Sequence, residues 1–435
     1  MEKRTRDQMK LLPFLAVWFV ALSCMGAFCK DVWAGQFSIS PSFSVQEQFD
    51  DNIFLTEKDR KTDFITRLIP SVALDYKAPL WNWDLAYSLD FRHYAKNTVS
   101  DNFAQNINLQ NSTELIKKLF YIDASDTYAK TSLSLPINYS QQSLFLNQTD
   151  QNIATVKPYF KLKPGRSTTV SAGYSYQNIW YKSGLGVKKS VNSVFVEAKD
   201  DVSPSFELSA GGLYLADSNG LQDYYDTDVH VGSRYVYSNG SDLFFTFGHG
   251  NYVFAGNGGS GEWAWDAGAD RRFAAFSARL EASSSAVENP SGLPDKVDTY
   301  SASITTNSAR TPASLGLSFN EYADLVTKSL KDRSYGITGT VSHKFTRAFT
   351  GSVNLEFQRL EDKVAMSYSN LVISGMAFNW QVARRANISL DYQYIYSHSP
   401  LILTDRYLDD RVTAAVTWAY GNTGAAGLQK KGGMI

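Results

Sequence analysis

Two acidic clusters are the residues best suited to chemistry. Asp50 and Asp51 lie near the start of the chain, and Asp405, Asp409 and Asp410 near its end. Grouped carboxylates suit Ca²⁺ or Mg²⁺, which take oxygen ligands. No EF-hand spacing is present, and Asp50-Asp51-Asn52 equally suits a tight turn whose side chains bond to nearby backbone amides. The five histidines (His93, His230, His249, His343 and His398) show neither His-x-His nor His-Glu-x-x-His spacing. The Gly-Asn-Gly-Gly-Ser-Gly run at 256–261 lacks the following lysine and helix of a phosphate cradle and reads as a loop. Both cysteines, Cys24 and Cys29, fall in the first 34 residues, so the rest of the chain has no thiolate nucleophile or Cys metal site. Nothing in the sequence calls for a cofactor, no catalytic group is evident, and the expectation is a protein that is not an enzyme.

Charged residues recur with a different order. Asp84, Asp90, Arg92, Lys157, Asp228, Arg234, Asp266, Asp391 and Arg411 each stand in a stretch where polar and apolar residues alternate. Phe37, Ile39, Pro41, Phe43 and Val45 alternate with serines; Trp83, Leu85, Tyr87, Leu89 and Phe91 alternate with Asp84, Ser88, Asp90 and Arg92. A period of two places these sets on opposite faces of a strand. About twenty such runs fill residues 36–420, each near the length that crosses a bilayer when tilted. Short connections begin at Lys163, Asp200, Ser238, Arg271, Ser308, Thr346 and Ala383, at nearly constant spacing, and alternate with longer Gly-, Asn- and Asp-containing ones.

The composition narrows the class. Of 435 residues, 43% are hydrophobic, 14% aromatic and 20% charged, which excludes a disordered or collagen-like chain. A net charge of −1 argues against a nucleic-acid partner bound by bulk positive charge. Lys3, Arg4, Arg6 and Lys10 precede an apolar run from Leu11 to Phe28, and Ala34 ends the segment: residues 1–34 read as a secretory signal peptide. No later segment has the roughly 20 apolar residues of a membrane helix. A propeller would repeat turns of similar length, and a soluble sandwich would not favour aromatic outer rows. The expected fold is all-β: a transmembrane antiparallel up-and-down barrel of about twenty strands (range 16–22) over 35–420, followed by a Gly-rich tail at 421–435. Closure satisfies every backbone donor and acceptor within lipid. Trp83, Tyr87, Phe91, Tyr174, Tyr392 and Trp418 are expected to face lipid, and the nine charged residues above to face a water-filled lumen.

Phe49-Asp50-Asp51-Asn52-Ile53-Phe54, followed by Asp63-Phe64-Ile65 and Pro70, resembles the opening of β-barrel porins found beside exopolysaccharide and PEP-CTERM/exosortase loci. The motif covers about 40 residues; elsewhere only the strand character matches. The resemblance implies an integral outer-membrane porin-like conduit of a Gram-negative cell, tied to surface polysaccharide export or assembly, with no catalytic residues to carry over. Expected partners are outer-membrane lipid and lipopolysaccharide, the barrel assembly machinery during biogenesis, and polysaccharide with its export components. The alternative is a structural barrel whose loops bind polysaccharide or a partner without transport.

Two expectations concern the barrel mouth. Closure would bring loop 398–409 beside loop 48–62 and gather Asp50, Asp51, Asp405, Asp409 and Asp410 at one rim. The longest connection, 129–151, carries Leu133, Leu135, Ile137, Tyr139, Leu144, Phe145 and Leu146. So much apolar surface is costly in water, at about 25 cal/mol per Å². The segment either prolongs its strands as an outer hairpin or folds into the mouth as a constriction.

Overall fold

The computed structural model describes residues 35–136, 142–144, 146–220, 222–256, 258–290, 292–400 and 406–420. The signal peptide, Asp405 and the Gly-rich tail expected from the sequence lie outside them.

The chain forms twenty strands. They are β1 (Gln36–Asp50), β2 (Asp63–Lys77), β3 (Trp81–Tyr94), β4 (Asn102–Ile116), β5 (Phe120–Ser132), β6 (Gln148–Leu162), β7 (Thr168–Tyr181), β8 (Lys189–Ser203), β9 (Phe206–Ser218) and β10 (Tyr224–Ser238), then β11 (Ser241–Phe254), β12 (Gly258–Arg272), β13 (Phe276–Val287), β14 (Asp295–Thr306), β15 (Ala313–Asp324), β16 (Leu330–Lys344), β17 (Phe349–Asp362), β18 (Ser367–Ala383), β19 (Ala386–His398) and β20 (Tyr407–Ala419). No helix occurs among the described residues. Each strand pairs antiparallel with the next, and β1 pairs with β20 from Ser42↔Ala419 to Asp50↔Arg411. The sheet therefore closes on itself and leaves no edge, as lipid demands.

Residues directly opposite across a ladder share a face, so the registers sort the wall into two surfaces. One carries the exposed apolar rows: Phe43 and Val45 of β1, Phe91 of β3, Val194 and Val196 of β8, Leu315 and Leu317 of β15, Leu390 of β19, and Val416 and Trp418 of β20. This is the lipid face, and Trp83, Tyr87, Tyr174 and Tyr392 fall on it by register. The other face is polar. The turns on one side of the barrel are short, as between β10 and β11, where Gly240 takes a φ of 73° beside a bulge at Val236–Ser238. The long connections lie on the opposite side.

A barrel of this size has no single core. Its buried apolar residues collect in three clusters under the long loops instead. One holds Leu55, Leu371, Ile373, Ile395 and Tyr407, with Leu146 packed on it. A second holds Ile53, Ile65 and Tyr94, with Phe54, Val99 and Leu144 against it. The third holds Tyr224, Phe254 and Leu325, with Leu293 and Tyr252 alongside.

Candidate functional site: the outer mouth of the lumen

The lumen wall is built by strand parity. Asp84, Asp90 and Arg92 of β3, Lys157 of β6, Asp228 and Arg234 of β10, Asp266 of β12, Asp391 of β19 and Arg411 of β20 all lie on the inner face, opposite in register to the exposed apolar rows. They do not form one site. Asp90 and Arg92 pair with each other, and Arg92 and Arg411 both reach the β5–β6 connection near the long-loop end, whereas the others are spread around the wall. Several take local partners: Arg234 pairs with Asp242 at 2.8 Å, and Asp228 with His230 at 3.0 Å. His230 also reaches Glu197 at 3.0 Å.

The acidic rim is divided rather than gathered. Loop 51–62 lies beside the start of β20, as closure requires: the Asp51 amide donates to the Asp410 carbonyl at 3.1 Å, and Asn52 Nδ2 donates to the Leu408 carbonyl at 2.8 Å. Alternation then sends Asp50 and Asp409 inward, and Asp51 and Asp410 outward. Asp50 and Asp409 both engage Arg411, at 3.0 and 2.5 Å. Asp51 accepts from the Asp410 amide at 2.7 Å and pairs with Arg60 at 3.6 Å. Asp410 accepts from the Tyr392 hydroxyl at 2.6 Å. The inward pair thus faces a guanidinium while the outward pair meets an amide, a guanidinium and a hydroxyl, and no group of three metal-binding side chains stands together among the described residues.

The connection between β5 and β6 supplies what occupies the mouth. Only its ends prolong the strands, from Ala129↔Gln151 to Ser132↔Gln148. The outer hairpin expected as one alternative stops there, and the described residues beyond it, 133–136, 142–144 and 146–147, turn inward. The apolar side chains explain the direction: Leu144 and Leu146 reach two of the three buried clusters, which lie on the inner wall of β1–β3 and β18–β20. Through Pro136, Gln142, Leu144 and Leu146 this connection acts as a strap across the lumen.

Its main chain is held by side chains of β3, β17 and β20. Gln358 of β17 donates from Nε2 to the Pro136 carbonyl at 3.0 Å. Arg92 donates from Nη1 to the Leu144 carbonyl at 2.7 Å. Arg411 donates to the Gln142 carbonyl, and the Tyr407 hydroxyl to the Gln142 side-chain oxygen. Gln142 and Ser143 are buried, at 4% exposure each.

The two arginines are aimed by carboxylates. Asp90 accepts from Arg92 Nε at 2.8 Å and from Arg67 Nε and Nη2 at 3.0 and 2.7 Å. Asp50 and Asp409 flank Arg411 as ion pairs. Three guanidiniums thus face three carboxylates, so the buried charge is balanced while spare N–H groups remain for the strap carbonyls. Each such bond to a charged donor is worth on the order of 1.5–3 kcal/mol.

The other half of the mouth is narrowed by two shorter loops. The Lys189 ammonium, 2% exposed, engages Glu288 and donates to the Asn289 and Gly292 carbonyls at 3.3 and 3.2 Å. The Tyr224 hydroxyl also meets Glu288. Ser260 donates to the Leu325 carbonyl at 2.9 Å, and Leu325 itself is buried on Tyr224 and Phe254.

Sequence alternation marks Arg92 and Arg411 as inward. It gives no sign of Gln358, Tyr407 or Lys189 as loop anchors, because their partners lie up to 265 residues away. Tyr159 was within reach, since it lies between the inward residues Lys157 and Lys161 at the same parity.

No family model matches the chain, and no curated protein matches it in sequence. Solved structures do match in shape. The FrpB iron transporter from Neisseria meningitidis (F5-1 variant) superposes with a TM-score of 0.52 at 9% identity, covering 90% of this chain and 84% of that one. The ferric citrate transporter FecA in its unliganded form gives 0.50 at 8% identity, over 88% of this chain and 79% of that one. At such identity the likeness establishes the fold alone. With a closed twenty-stranded sheet, an apolar outer belt and a polar interior, the chain is an integral β-barrel of the outer membrane.

Proposed function

We propose that this protein is a gated outer-membrane conduit for polar solutes, with the strap anchored through Pro136, Gln142 and Leu144 as its outer gate. The observation that carries the reading is the Gln358–Pro136 bond, which joins the β5–β6 connection to a strand on the far side of the barrel. A segment so placed controls what enters from outside. The wall beneath it is hydroxyl-, amide- and charge-lined, as suits hydrated cargo rather than lipid. A wide barrel cannot be filled by its own wall side chains. Passage rather than catalysis is the role we assign.

The resemblance of residues 37–72 to barrels beside exopolysaccharide loci makes saccharide chains the cargo we favour, with lipopolysaccharide surrounding the barrel and the assembly machinery inserting it. The shape neighbours are named as iron transporters, which bears on the barrel and not on the cargo. A second reading has its own support. The three apolar clusters seal much of the mouth, which also suits a closed barrel that displays loops to polysaccharide or a partner.

Single-channel recording separates the two. The full-length mature chain is refolded into planar bilayers as wild type and with residues 134–147 replaced by a short Gly-Ser linker. Larger conductance in the linker variant supports the gate. Silence in both variants supports the display barrel and overturns the conduit.

A further inference from the structure

The inner wall of β5–β8 carries a feature that neither lipid contact nor strap anchoring requires. By alternation this face is polar, with Ser112, Asp123, Ser125 and Thr155 upon it. Three aromatic rings nevertheless stand among these groups. Tyr121 and Tyr159 stack with centroids 5.3 Å apart at 17°, and Tyr159 lies 6.5 Å from Phe195. All three are inward, since their neighbours Phe160, Val194 and Val196 are exposed on the lipid face. All three are half-buried, so each keeps part of its ring surface toward the lumen.

Glycine makes the arrangement possible. Gly173 of β7 pairs with Tyr159 on one side and Phe195 on the other. A Cβ there would stand 2.4 Å from Tyr159 Cβ and 2.4 Å from the Pro158 carbonyl oxygen. Only a residue without a side chain leaves the slot between the two rings empty. The three rings thereby form one oblique strip over four strands, rising from the short-turn end toward the strap.

Polar groups border the strip. The Ser112 hydroxyl donates to Asp123 at 2.7 Å, and Tyr121 lies within 3.4 Å of Glu114. Lys157, opposite Asp123 in register, places its ammonium 4.2 Å from the Phe195 ring centre. Above them Gln177 donates to Thr155 at 3.3 Å.

We propose that Tyr121, Tyr159 and Phe195, with Asp123 and Lys157, form a binding strip for the pyranose rings of a neutral oligosaccharide. A pyranose has apolar C–H faces and a rim of hydroxyls. Ring faces receive the former, while carboxylate oxygens and the ammonium receive the latter. Lys157, Lys161 and Lys199 balance Glu114, Asp123 and Glu197 along this wall, so it offers no net field of either sign, as suits a neutral chain. The strip rests on the conduit reading and gives that conduit its cargo class.

The test uses the full-length mature chain refolded in detergent micelles. Cellohexaose and maltohexaose are titrated by calorimetry and followed by NMR line broadening of the sugar. At least one hexaose binds the wild type, with a dissociation constant on the order of 1 mM. Tyr159→Ala weakens that binding at least fivefold, and Phe195→Leu does so independently should Tyr159→Ala assemble poorly. Conductance is recorded on the same preparations. Channels that conduct while neither hexaose binds overturn the strip and leave the conduit standing. Binding that depends on Tyr159 and Phe195 in a barrel silent even without its strap leaves the strip and removes the conduit. Binding unchanged in both variants also overturns the strip.

Discussion

Gln358 Nε2 lies 3.0 Å from the carbonyl oxygen of Pro136, a residue 222 positions away in the chain. Pro136 belongs to the connection after β5, and Gln358 to β17, on the opposite side of a twenty-stranded ring. The bond is a direct measure of how far the strap reaches. A loop that ended near its own strands could not make it.

Removal of residues 134–147 is therefore expected to raise single-channel conductance and relax size exclusion. The barrel ladder is independent of the strap, so the variant still assembles and retains its heat-modifiable migration on gels. Unchanged conductance in a correctly assembled variant would reject the constriction role.

Arg411 is the anchor whose loss costs most stability. Its side chain is 9% exposed, and it serves Asp50 and Asp409, which are 4% and 0% exposed. Arg411→Ala strands two buried carboxylates, and breaking such a buried pair costs about 3–5 kcal/mol. Replacing all three together, as Arg411→Met with Asp50→Asn and Asp409→Asn, is expected to recover most of that loss. Urea-unfolding midpoints in micelles check the order: wild type and triple variant above the single one.

The two wall faces differ in their tolerance of charge. Leu390 is 48% exposed on the lipid face, and Asp391 beside it points into the lumen. Leu390→Arg is expected to destabilise by about 2–4 kcal/mol, as for a cation near the bilayer midplane. Asp391→Arg should stay within about 1 kcal/mol. Folding titrations into lipid vesicles measure both, and equal losses would show the faces to be reversed.

Gly173 tests the packing of the inner wall. Gly173→Ala forces its new methyl against Tyr159 and the Pro158 carbonyl, an overpacking expected to cost about 1–3 kcal/mol. Gly339, which has nothing within 4 Å of an added Cβ, is the control. Gly339→Ala should be near neutral or slightly stabilising. Equal effects at the two positions would mean that the Tyr159 ring does not need the slot.

The sequence by itself determined the barrel. Period-two alternation fixes which side chains face lipid. The turns expected from Lys163, Ser308 and Thr346 fall between strands, and those expected from Asp200, Ser238, Arg271 and Ala383 begin on the closing residues of β8, β10, β12 and β18, just before the hairpin turn. Both signals are local, since a strand's face and a hairpin's turn are set by residues within a few positions of each other. Asp90, Arg92 and Arg411 were legible as inward for the same reason. Their task was not. Only closure of β1 on β20 brings Arg411 to Asp50. Only the folded mouth shows Leu144 and Leu146 leaving water for clusters built from the strands at both ends of the chain. The strap's path is a competition among distant apolar surfaces, and hydrophobic burial has no direction along the sequence. The strip of Tyr121, Tyr159 and Phe195 likewise depends on the register of four strands about Gly173, which the tertiary structure decides.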